Sequence, residues 1–80
     1  MDIETIMRKY IVNEIMHEQD ESILKLDDSL LNGGIIDSIG LMKLISFLEK
    51  NFNITIPAEE HIPENFETIN SISTLVKKII

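Results

Sequence analysis

Residues 30–57, LLNGGIIDSIGLMKLISFLEKNFNITIP, decide the fold. Within them Leu41, Leu44, Ile45 and Leu48 recur at spacings of three and four, which predicts a helix over 38–51 with one apolar stripe. Phe47 and Phe52 extend the stripe, Asp37 or Ser38 supplies the N-cap, and Asn51 suits the C-cap. NITIP then runs extended until Pro57 halts it. Upstream, residues 18–37 carry no sustained period, and Gly33-Gly34 permits the positive φ of a turn. Ile23, Leu24, Leu26, Leu30, Leu31, Ile35 and Ile36 are spread along that stretch, so it is expected to be an ordered loop pinned across the core.

Further out, Ile3, Ile6, Met7, Tyr10, Ile11 and Ile15 mark an amphipathic helix over 2–17, with Asp2 as its cap. Residues 58–67 read as loop with one helical turn, for which Pro63 fits the first position. Thr68 or Asn70 opens a last helix striped by Ile69, Ile72, Leu75, Val76 and Ile79, with Lys77 and Lys78 in its final turn. The expected fold class is all-α: a small antiparallel four-helix bundle of three main helices and a short third, with a long ordered first loop, forming one domain over 1–80.

The chain has 80 residues, 7 basic and 14 acidic, for a net charge of −7. A chain this short leaves little room for a deep pocket with supporting residues behind it, which argues against an enzyme. The acidic balance argues against nucleic acid and anionic membrane surfaces as partners. With no cysteine, thiol catalysis and zinc–thiolate sites are excluded. His17 and His61 stand far apart, so no metal is expected. Nothing resembles a signal peptide, and no apolar run nears the roughly 20 residues of a membrane span. A cytoplasmic monomer is the expectation.

Three chemical readings fall away. GGIIDSIG is not the G-x-S-x-G elbow of a hydrolase. Two glycines without a Walker lysine make a turn rather than a phosphate cradle. Asp27, Asp28 and Asn32 lack the alternation of a calcium loop and suit turns. Asp37-Ser38 remains: a capping pair, or a serine placed at an exposed helix start for modification by another enzyme.

The stretch Gly34-Ile35-Ile36-Asp37-Ser38-Ile39, the apolar helix after it, F-x-I-x-I-P over 52–57 and IPENFETINSISTLV towards the end resemble acyl and peptidyl carrier proteins, freestanding aminoacyl or peptidyl carriers in particular. The resemblance implies that Ser38 carries 4′-phosphopantetheine, placed there from coenzyme A by a phosphopantetheinyl transferase, and that Asp37 helps present it. The arm's thiol would hold an acyl or aminoacyl group as a thioester, tethered at high effective concentration. The implied partners are that transferase, an acyl- or aminoacyl-adenylating ligase, and downstream synthase, oxidase or transferase enzymes. The carrier itself would catalyse nothing.

Fatty-acid carriers have a strongly acidic second helix, whereas here Lys43 and Lys50 outnumber Glu49. That departure points to specialised biosynthesis. Ile39, Met42 and Ile62 are candidate apolar contacts for partners, and Glu59, Glu60 and Glu64, with Glu67, would steer encounter. Met42 could equally pack in the core, and the glutamates could be a solvated loop. An acidic interaction module without a prosthetic group, with Ser38 as a cap whose loss costs at most roughly 0.5–2 kcal/mol, is the alternative.

Overall fold

The computed structural model describes residues 2–80, in which helices and turns account for all the regular structure. Helix α1, Ile3–Tyr10, starts where the Asp2 carboxylate accepts the Thr5 amide at 2.7 Å. It does not stay regular over the expected 2–17. From Ile11 to Ile15 it widens to a π-type turn, and Ile11 and Val12 are both fully buried there. His17 lies beyond the helix rather than in its last turn; at φ 56° it is left-handed, and the Glu18 amide closes on the Val12 carbonyl at 2.9 Å.

Helix α2, Ser38–Phe52, buries Gly40, Leu44, Ile45 and Leu48. Leu41 is half-buried at the edge of that stripe. The C-cap is Asn53, at φ 54°, and not Asn51: Phe52 packs on the core, so the helix runs on until an asparagine can take the left-handed turn. The extended NITIP segment has no partner strand among the described residues. Its buried Ile56 directs its amide to the Glu49 carboxylate at 2.9 Å, which satisfies a donor that a sheet would otherwise satisfy.

The expected short third helix is split into two 3-10 turns, Ala58–Glu60 and Pro63–Phe66, with Pro63 at the first position of the second. The His61 ring nitrogen Nε2 donates to the Ile56 carbonyl at 2.9 Å, which holds the first turn against the extended segment. Phe66 from the second turn is fully buried. Helix α3, Ile69–Ile79, is capped by the Thr68 hydroxyl, which accepts the Ser71 amide at 3.0 Å. It buries Ile69, Ile72, Leu75 and Val76 and packs on α1, where Lys77 meets Glu4 at 3.6 Å.

The long first loop is ordered, as its spread of apolar residues implies. Leu24, Leu30 and Ile36 are core residues, while Ile23 is 45% exposed and does not pin the chain. Asp20 and Asp28 cap turns within it, consistent with turn-forming acids. The loop is tied to the start of α3 at two backbone points: the Leu30 amide to the Glu67 carbonyl at 2.7 Å, and the Asn70 amide to the Leu26 carbonyl at 3.1 Å. The Glu67 carboxylate adds the Ser29 hydroxyl and the Asn32 amide. Gly34 then turns at φ 77°, which delivers Ile36 to the core and Asp37 to the start of α2. No helix among the described residues is long and apolar enough to cross a membrane.

Leu48→Ala removes a fully buried side chain and is expected to cost about 2–5 kcal/mol in urea unfolding. Met42→Ala, at a position 69% exposed, should stay within about 0.5 kcal/mol of the parent.

Candidate functional site at the start of the second helix

The corner at Asp37–Ser38 is built by a division of labour between neighbours. Asp37 has extended backbone, and its Oδ1 accepts the Gly40 amide at 2.7 Å. The cap is therefore Asp37, and Ser38 is the first helical residue, with its side chain exposed. Gly40 lets the arrangement close tightly. A methyl group there would stand 3.1 Å from Ile36 Cγ2 and 3.3 Å from Asp37 Oδ1, so any side chain would push Ile36 or the capping carboxylate outward by a few tenths of an ångström.

The residues around the serine are apolar and exposed. Ile39 is 68% exposed and Met42 69%, so Met42 belongs to the surface and not to the core. Beside them lies a hollow of about 250 Å³, walled in part by Glu14, His17, Asp37, Ile39 and Lys43. The end of the first helix thus borders the start of the second. No local pattern of residues marks that approach, because the crossing loop brings the two ends together.

The other expected contact residues lie on the segment 58–66. Ile62 is 41% exposed, and Glu59 and Glu64 are exposed. The hollow beside Asp37 includes none of them. Glu60 and Glu67 are not free acids. The Lys78 ammonium donates to Glu60 Oε2 at 3.0 Å, the Asn65 amide donates to its other oxygen at 3.0 Å, and Glu67 clasps the first loop. The hydrogen bond from Lys78, and then that from Asn65, hold the Glu60 carboxyl below its ordinary range.

The result is a small helical body in which the Ser38 side chain stands exposed at the start of a 15-residue helix. The chain belongs to the phosphopantetheine attachment site family, whose model matches residues 9–77. It is similar to the D-alanyl carrier protein of Streptococcus suis (strain 98HAH33), with 37% identity over 81 residues that cover 100% of this chain and 98% of the relative. It is also similar to the D-alanyl carrier protein of Streptococcus mutans serotype c (strain ATCC 700610 / UA159), with 35% identity over 72 residues, 90% of this chain and 87% of that one. Among solved structures it resembles a chain of a crystal structure of an FAD-dependent dehydrogenase, with a TM-score of 0.77 and 27% identity, over 88% of this chain and 97% of that one. The protein is a non-catalytic carrier with covalently attached 4′-phosphopantetheine, and carriers of this family work with phosphopantetheinyl transferases and ligases.

Because the Glu60 carboxyl is held below its ordinary range, the contact with Lys78 stabilises the fold at and above the usual glutamate pKa of about 4.3 and is lost as pH falls through the lower folded value. Protection of the 58–66 amides, measured relative to intrinsic exchange, should therefore fall as pH drops below the ordinary glutamate range, and Glu60→Gln should show the reduced protection already at neutral pH.

Proposed function

We propose that Ser38 is the residue that bears the phosphopantetheine arm and that the cargo is D-alanine. The observation that carries the assignment is the separation of roles at the start of α2: Asp37 accepts the capping bond, and Ser38 is left exposed. The residues fit the group. A phosphodiester on Ser38 would set its negative charge at the positive end of a 15-residue helix, a favourable placement. When bound, the arm supplies the thiol that holds an acyl group as a thioester, so a chain with no cysteine still has a reactive sulfur. Asp37 fixes the first turn and so the direction in which Ser38 leaves the body. Ile39 and Met42 give the transferase an apolar foothold beside the serine, Ile62 gives a second one, and Glu59 and Glu64 steer its approach. Glu60 contributes less to steering because Lys78 already neutralises it.

D-alanine, rather than the specialised-biosynthesis cargo suggested by the charge of the second helix, rests on similarity to D-alanyl carriers over essentially the whole chain. The likeness to a chain of an FAD-dependent dehydrogenase structure favours a second reading, in which a flavin dehydrogenase oxidises an aminoacyl group held on the arm.

Incubation with coenzyme A and a broad-range transferase should add the mass of one phosphopantetheine group to the parent and nothing to Ser38→Ala. No gain with several transferases would favour the plain interaction module. Further addition of ATP, D-alanine and a D-alanine-activating ligase should add one alanyl group, whereas loading by a different amino acid only would remove D-alanine from the assignment. A loss of two hydrogens from the loaded form on exposure to a flavin dehydrogenase would select the second reading.

Ser38→Ala should melt close to the parent, within about 0.5 kcal/mol, because the cap is elsewhere. Asp37→Ala should cost about 0.5–2 kcal/mol in the same melts.

A further inference from the structure

The first helix ends against the corner at Asp37–Ser38. Through the π-type turn the Met16 amide reaches back to the Ile11 carbonyl at 2.9 Å, and such turns recur at functional sites. His17 then reverses the chain at φ 56°; with Asn53 it is one of two non-glycine residues of positive φ among the described residues. Glu14 from the turn and His17 after it both line the hollow of about 250 Å³ beside Asp37, and Ile35, Ile39 and Lys43 line it from the loop and from α2. Ser38 stands between two lining residues, with its Cα about 3.8 Å from those of Asp37 and Ile39. Whatever Ser38 bears therefore begins at the rim of this hollow.

The lining divides into an apolar and a charged side. Ile39 is exposed, and Ile35 is half-buried with part of its side chain left to the hollow. Lys43 lies four residues after Ile39, on the same face of α2. Lys43 and His17 are exposed, and among the described residues neither meets a carboxylate within 4.0 Å. Two acids share the lining. Asp37 is engaged through Oδ1 with the Gly40 amide, and Glu14 is exposed, so water and salt screen it. The segment 58–66 suits an anion less: it exposes Glu59 and Glu64 and has no lysine or arginine. The volume decides how much can enter. It falls short of the roughly 300–1,000 Å³ of pockets that engulf a small ligand, so it suits a short fragment only.

We infer that this hollow seats the first part of the arm: Lys43 and the His17 imidazole donate to the phosphodiester on Ser38, while Ile35 and Ile39 receive the branched carbons next to it. The inference rests on the reading of Ser38 as the attachment residue. A tethered phosphodiester is held within a few bonds of these side chains, so contacts too weak to capture a free anion still decide which way it leans. The hollow has no room for the remainder of the arm, so its amides and thiol stay outside and free for partners. Seating the near end sets the direction in which the far end leaves, and this reduces the freedom lost when an enzyme takes up the arm.

The test compares the isotope-labelled protein before and after transfer of the arm from coenzyme A. Amide shifts should concentrate at Glu14, His17, Ile35, Ile39 and Lys43, and the paired methyl groups of the arm should show NOEs to Ile35 and Ile39. Those NOEs should fade in molar salt and fall by about twofold or more in H17N/K43Q. Asparagine keeps the left-handed backbone at position 17, so the variant should melt and accept the arm as the parent does. NOEs to Met42 or Ile62 instead, an arm without NOEs to the body, or NOEs unchanged in H17N/K43Q would overturn the inference. A protein that takes no arm on its serine overturns the Ser38 reading and the seat with it, whereas an armed protein without these NOEs overturns the seat alone.

Discussion

The bond from the Gly40 amide to the Asp37 carboxylate fixes where α2 begins, and the rest of the functional corner depends on that starting point. Were the cap one residue later, the serine hydroxyl would be bound to its own helix. Gly40, which has no side chain, lets Ile36 pack closely beneath the bond. Ile36 in turn is in place because its amide reaches the Leu30 carbonyl at 2.9 Å and Leu30 is fully buried. A surface position is thereby held by a line of contacts that ends in the core.

That line passes through the first loop, which has more to do with the fold than with recognition. Its Leu24, Leu30 and Ile36 fill the core that three short helices would leave incomplete. Its backbone joins the start of α3 at Leu26 and Leu30. Glu67 completes the junction and is thereby withdrawn from the acidic surface. In a domain with so small an interior, a loop serves as a fourth wall.

Much of this was legible in the sequence, and the reason is periodicity. The stripes Leu44–Ile45–Leu48 and Ile69–Ile72–Leu75–Val76 follow the helical repeat, and they are buried as expected. Caps at Asp2, Asp37 and Thr68 follow from local chemistry. What was not legible depends on partners distant in the chain. The π-type turn at Ile11–Ile15, the helix end at Asn53 rather than Asn51, and the stack of Tyr10 on Phe47 are set by packing between elements. The acidic run near 59–67 looked uniform as letters, yet Glu60 and Glu67 are bound while Glu59 and Glu64 are exposed. The exposure of Met42 was open in the sequence because its spacing suits either face of α2.

The exposed hydroxyl of Ser38 has no part in holding the body together. On the proposed reading, an arm added at Ser38 breaks no bond that holds the body, so the resting fold offers a visiting enzyme no broken contact by which to tell a bare carrier from a loaded one.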